Sequence, residues 1–121
     1  MDNISDDLAR KWTKFEKMCI ERFGEILPVE GILFIIGLQE LGKPSRKFSK
    51  TDKTDIIQIG IMSLLALVGY FEKKGRDENG WPVYNPIKPI PPMSPDIQEK
   101  LFKNLICRYF KIDFLTILFW D

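Results

Sequence analysis

The sequence predicts a mainly α fold: a single domain of about four principal helices with a small β-hairpin and a proline-rich strap before the last helix. Three observations carry that prediction. The stretch Ser49–Gly69 (SKTDKTDIIQIGIMSLLALVG) is apolar on nearly every side through its second half, the pattern of a helix enclosed by other elements. Ser5–Phe23 places Leu8, Trp12, Phe15, Cys19 and Phe23 three or four residues apart, one stripe of an amphipathic helix. After Tyr70 the period changes, and two short aromatic runs flank the turn-rich GRDENG.

A chain of 121 residues is long enough to bury about two thirds of the surface its unfolded form exposes. With 45% hydrophobic and 29% charged residues it has the material for one core and an ordinary charged surface, which argues against disorder. We read one domain over 1–121, with residues 1–4 as a flexible N-terminus and 111–121 as an apolar C-terminal tail.

In the first helix Ser5 is placed as N-cap, with Asp6 and Asp7 in the first turn where the helix dipole favours negative charge. Arg10, Lys11, Lys14, Lys17, Glu21 and Arg22 form its solvated face, and Gly24 stops it. Pro28 fits the first turn of a second helix, VEGILFIIGLQEL, closed by Gly42 and Pro44. Ser49 and Asp52 form an approximate capping box for the third helix, which Gly69 ends. Gly37 and Gly60 each weaken their own helix by about 1 kcal/mol, and a close crossing of the two backbones would give both a packing reason.

The runs YFEKK and WPVYN suit a hairpin with its loop around Asp77–Gly80, the second strand held short or to an edge by Pro82. A lone hairpin is marginal in water, so Tyr70, Phe71, Trp81 and Tyr84 are expected to anchor it on the helices. Five prolines in 85–95 predict an extended strap lying across the domain through Ile87, Ile90 and Met93, without separating two domains. Ser94 caps the last helix with Pro95 at its first position, and Ile97, Leu101, Leu105 and Ile106 form its inner face. There is no internal repeat.

The formal charge of +1 supplies no global field to draw in nucleic acid or an anionic surface. Histidine is absent, which removes the commonest general base, metal ligand and pH switch. Cys19 and Cys107 sit inside helical apolar patterns with no ligand spacing, and read as buried free thiols. The start MDNISDDLARKW lacks a secretory pattern, which points to the cytoplasm, and the longest apolar run, Ile56–Phe71, falls short of the roughly 18 to 20 residues of a membrane span. No GxxxxGK[ST], GxGxxG, HExxH or CxxC is present, so no catalytic residue, metal ligand or cofactor is assigned.

Three surfaces remain. The link Lys43–Lys53 holds Lys43, Arg46, Lys47, Lys50 and Lys53 around Phe48, a set suited to phosphates and a stacked base, or to a solvated loop whose Phe48 packs on the next helix. Arg76 and Trp81 sit together in the hairpin turn, as at a binding surface or as an ordinary turn with its Trp folded back. Glu30, Gln39, Glu40 and Gln58 interrupt apolar helices, and would make a carboxylate site only by converging in one concave pocket; otherwise they cap helix ends or satisfy backbone groups.

The ordered phrases EGILFIIGLQELGK, RKFSKTDKTDIIQIGI, GYFEKKGRDENGWPVY and QEKLFKNLICRYF resemble a family of small uncharacterised bacterial proteins with no known function. The resemblance covers about Gly24 to Phe110, implies a mostly helical domain and carries over no site. Lys111–Asp121 extends past the expected end of that family.

The leading expectation is therefore a non-enzymatic interaction or structural module, forming a dimer or binding a protein partner through Phe114, Leu115, Leu118, Phe119 and Trp120. The alternative is a nucleic-acid-associated accessory protein using the basic link, helped by Lys73, Lys74 and Arg76. A small carboxylate enzyme built on Glu30 and Glu40 is the weaker alternative. No membrane association is expected.

Overall fold

In a computed structural model, which describes residues 3–42 and 48–111, the element order is α1 (Asn3–Phe23), α2 (Val29–Leu41), α3 (Lys50–Ala66), β1 (Phe71–Arg76), β2 (Pro82–Pro86) and α4 (Pro95–Tyr109). The fold is mainly α, with the four helices and one antiparallel hairpin that the sequence predicts. The chain gathers into two compact units, one from Met1–Leu27 and Pro92–Asp121, the other from Pro28–Pro91. The chain passes between them twice, at Leu27 and Pro28 and again inside the proline-rich strap, at Pro91 and Pro92.

The unit Pro28–Pro91 is built on the crossing of α2 and α3. A Cβ on Gly37 would overlap the backbone carbonyl of Ile56, and one on Gly60 would overlap that of Leu33, so at both points only glycine lets the main chains come this close. Around the crossing Ile32, Leu33, Ile36, Leu41, Ile56, Ile59, Leu64 and Leu65 are buried. Pro28 occupies the N-cap of α2, one position before the expected first turn, and contributes no side-chain cap; Gly42 closes the helix in the left-handed region at φ 69°. The Ser49 and Asp52 capping box forms as expected, the Ser49 Oγ accepting from the Asp52 N–H at 3.0 Å and the Asp52 carboxylate from the Ser49 N–H at 3.1 Å. At the other end Gly69, at φ 85°, lets the Tyr70 N–H reach back to the Leu65 carbonyl at 3.1 Å.

In the hairpin Phe71 pairs with Pro86, Glu72 with Asn85, Lys73 with Tyr84 and Arg76 with Pro82. Two residues of β1 face one of β2 between the last two pairs, and Gly75, at φ 104°, absorbs the extra residue as a bulge. The Asp77 carboxylate accepts from the N–H groups of Asn79 and Trp81, both at 2.9 Å, which folds the turn. The hairpin is fastened to α3 by Tyr84: its hydroxyl lies 2.8 Å from the buried Ser63 Oγ, which itself donates to the Ile59 carbonyl, so the tyrosine supplies the proton.

In the other unit α1 and α4 run parallel, since Trp12 faces Lys103 and, three residues on, Phe15 faces Phe110. Phe15, Met18 and Cys19 of α1 and Leu105, Ile106 and Cys107 of α4 are buried. Ser94 and Pro95 start α4 as expected, with the Ser94 Oγ accepting from the Ile97 N–H. Four expectations are corrected. Helix α1 begins at Asn3, so Ser5 lies inside it and is not its cap. Phe23 is 51% exposed while Met18 is buried, because the buried stripe rotates toward Met18 before the helix ends. Ile97 is 57% exposed, in the first turn of α4 ahead of the buried part of its face. The strap leaves Ile87 and Ile90 exposed, and the Ile87 N–H to Tyr70 carbonyl bond and the Lys88 ammonium over the Tyr70 ring are what tether its first part.

Candidate functional site

The carboxylate and amide residues that interrupt the apolar helices do not converge. Glu30 is exposed in the first turn of α2 and Glu40 half-buried in its last, about 15 Å apart along the axis at 1.5 Å per residue. Glu40 pairs with Lys73 of the hairpin at 3.6 Å, Gln39 is exposed, and Gln58 is exposed on α3 rather than held in the core. Neither Glu30 nor Glu40 lines the grooves described below. Nor do any three His, Cys, Asp or Glu side chains among the described residues gather as metal ligands would.

Arg76 is engaged by backbone carbonyls. Its guanidinium donates to the carbonyls of Leu41 at 2.8 Å, Glu40 at 2.9 Å and Gly80 at 2.7 Å. A planar fork of five donors can satisfy the open C-terminal carbonyls of α2 and the hairpin turn at once, which a lysine could not. Arg76 thus latches the turn to the end of α2, while its exposed guanidinium keeps its positive charge. Lys73 is paired with Glu40, and Lys74 with Glu72 at 3.3 Å. Arg46 and Lys47 lie outside the described residues, as do Phe114, Leu115, Leu118, Phe119 and Trp120. Phe48 is half-buried just ahead of the α3 cap, and Lys50 and Lys53 are exposed on the first turns of α3.

Trp81 does belong to a concave surface, one the sequence did not disclose. A groove of about 650 Å³ runs between α3 and the hairpin turn, lined by Asp52, Asp55, Gln58, Ile59, Met62, Asp77, Asn79, Trp81 and Pro82. The spacing of Asp55, Gln58, Ile59 and Met62 puts them on one face of α3, and the Asp77 turn folds Trp81 opposite them. Two of its three carboxylates are committed, Asp52 to the α3 cap and Asp77 to the turn. Among the described residues the lining holds no cation, and its carboxylates oppose a phosphate backbone beside Lys50 and Lys53.

A second, mostly apolar groove of about 320 Å³ follows the seam of α1 and α4, lined by Leu8, Ala9, Trp12, Thr13, Lys100 and Lys103. Here Trp12 stacks on the Phe15 ring, 5.1 Å away, and the Lys103 ammonium lies 5.3 Å from its ring centre. Near the end of α1 and just beyond it, Ile20, Phe23 and Ile26 are each about half exposed. Both thiols are buried and free, and burial pushes each above its ordinary value, Cys107 up to about 11. They are poor nucleophiles there, because the thiolate is the reactive form.

No family model, no curated protein and no solved structure matches the chain. Among the described residues no helix is long and apolar enough to cross a membrane.

Proposed function

We propose that this chain is a non-enzymatic interaction module that associates with a second copy of itself, using the apolar segment 112–121. The observation that carries the proposal is that segment's composition: Ile112, Phe114, Leu115, Ile117, Leu118, Phe119 and Trp120 leave only Asp113, Thr116 and Asp121 polar. At about 25 cal/mol per Å² of apolar surface, burying side chains of that size against a second copy would be a substantial driving force for association. Support comes from the unit that holds α1 and α4, whose described surface leaves Ile20, Phe23, Ile26 and Ile97 about half exposed. Reciprocal burial in a symmetric pair is the commonest way a soluble chain covers such surface.

Sedimentation velocity across a concentration series tests this. The proposal expects a species of twice the chain mass that dissociates on dilution. A single species of one chain mass at every concentration would contradict it.

A further inference from the structure

The hairpin adds little to the core beside it. Of the described residues in its strands, Phe71–Arg76 and Pro82–Pro86, only Pro82 is buried, and in β1 every residue after Phe71 is exposed. At the crossing of α2 and α3, by contrast, Ile32, Ile36, Leu41, Ile56 and Leu64 are each at most 2% exposed. Apolar burial therefore holds the two helices together and leaves the hairpin to be fastened largely by polar bonds. A two-stranded ribbon detached from such support is marginal in water.

Those bonds sit where water can compete for them. Near the turn the exposed Arg76 guanidinium donates to the Glu40 and Leu41 carbonyls at the end of α2. In β2 the half-buried Tyr84 hydroxyl donates to the Ser63 Oγ at 2.8 Å. Ser63 keeps its own bond to the Ile59 carbonyl when Tyr84 leaves, so undocking strands no donor on α3. The Lys73 to Glu40 pair, at 3.6 Å and partly exposed, adds little. At the base, Gly69 at φ 85° and the Tyr70 N–H to Leu65 carbonyl bond keep β1 on the end of α3, and the chain leaves β2 through the exposed Pro86 and Ile87.

We propose that the hairpin is a lid on the α2/α3 pair, which opens as one body about Gly69 and Tyr70 when the Arg76 and Tyr84 latches release, while the two helices stay packed. In the open form the wall that carries Trp81 has left Asp55, Gln58 and Met62, so the groove beside Trp81 belongs to the closed form alone. Because the undocked ribbon is marginal, its cross-strand bonds melt with the opening, and its amides report it.

Native-state hydrogen exchange on the full chain across a urea series tests this. The Asp77 N–H bonds the Trp81 carbonyl at the turn, and the Ile87 N–H bonds the Tyr70 carbonyl at the base. Both are expected to exchange through one common opening, with protection about tenfold or more below that of Ile36 and Gly60 at the helix crossing and a weaker dependence on urea. After correction for intrinsic rates, Arg76→Lys is expected to speed Asp77 and the distant Ile87 by the same factor, about two- to tenfold, and Tyr84→Phe to do likewise. Quickening confined to Asp77 in Arg76→Lys would mean that the turn frays alone, and would overturn the lid. No change at either amide in both variants would show that these bonds are not its latches, and would overturn it as well. Equal protection and equal urea dependence of all four amides in the wild type, a comparison that needs no variant, would show that the hairpin opens only when the helices do.

Discussion

Gly60 of α3 lies directly against the backbone carbonyl of Leu33 in α2, and Gly37 of α2 meets Ile56 of α3 in the same way, so the helix pair is held at a separation that a single methyl group would force apart. On helix propensity alone Gly60→Ala should stabilise the protein by about 1 kcal/mol. The overlap with main-chain atoms, which cannot rotate away, reverses the sign, and a net loss of about 1 to 3 kcal/mol is expected. Gly37→Ala should behave alike. Urea denaturation measures both, and a rise in midpoint for either variant would contradict the close crossing.

The Arg76 latch gives a second expectation. Arg76→Lys keeps the charge but cannot reach the carbonyls of Glu40, Leu41 and Gly80 together, so a loss of about 1 to 2 kcal/mol is expected, moderated because the site is largely solvent-exposed. Hydrogen exchange should quicken at the amides of Gly80 and Trp81. Retention of wild-type stability and exchange in the lysine variant would show that the three bonds contribute little.

Much of this architecture was legible because its signals are local. Ser49 with Asp52, Ser94 with Pro95, and the glycines at Gly42 and Gly69 mark helix ends through bonds made within five residues. The paired glycines could be read because each is costly where it stands, which calls for a tertiary reason. The role of Arg76 was not legible: its acceptors lie 35 and 36 residues away on α2, and nothing beside Arg76 in sequence announces them. The groove at Trp81 was hidden for the same reason, since it joins one face of α3 to a turn that only the hairpin register positions. Ile97 and Phe23 follow the apolar period of their helices yet lie exposed, because periodicity gives the face of a helix and not how far along it the covering neighbour extends.

The α3 cap can be tested in isolation. Ser49→Ala removes the acceptor for the Asp52 N–H and leaves that donor to solvent, and a loss of about 1 kcal/mol is expected. Asp52→Asn should cost less, since the amide oxygen can still accept from the Ser49 N–H. Thermal melts of the two variants check the order, and equal stability of Ser49→Ala and wild type would show the box to be dispensable.

The buried thiols set an alkaline limit. Burial lifts Cys107 from an ordinary 9.0 to about 11, with Lys11 pulling partly back, and also lifts Cys19; Tyr84 is raised above 10.0 by burial, against the opposing pull of its bond to Ser63. For acids raised in the folded state, the stabilisation is complete below the unfolded value and is lost as pH climbs to the folded one. Stability should therefore begin to fall above about pH 9 and continue falling toward 11. Iodoacetamide at pH 8 should label both cysteines in urea and neither in the native protein within the same time. Rapid native labelling of Cys107 would contradict its burial.

The central claim, association through segment 112–121, is tested most directly by multi-angle light scattering on the whole chain beside a variant lacking Lys111–Asp121. The expected result is a two-chain mass for the whole chain and a one-chain mass for the shortened one, with the helical content of α1 to α4 retained. A whole chain that elutes as a monodisperse monomer, with size and stability unchanged by the deletion, would contradict the account.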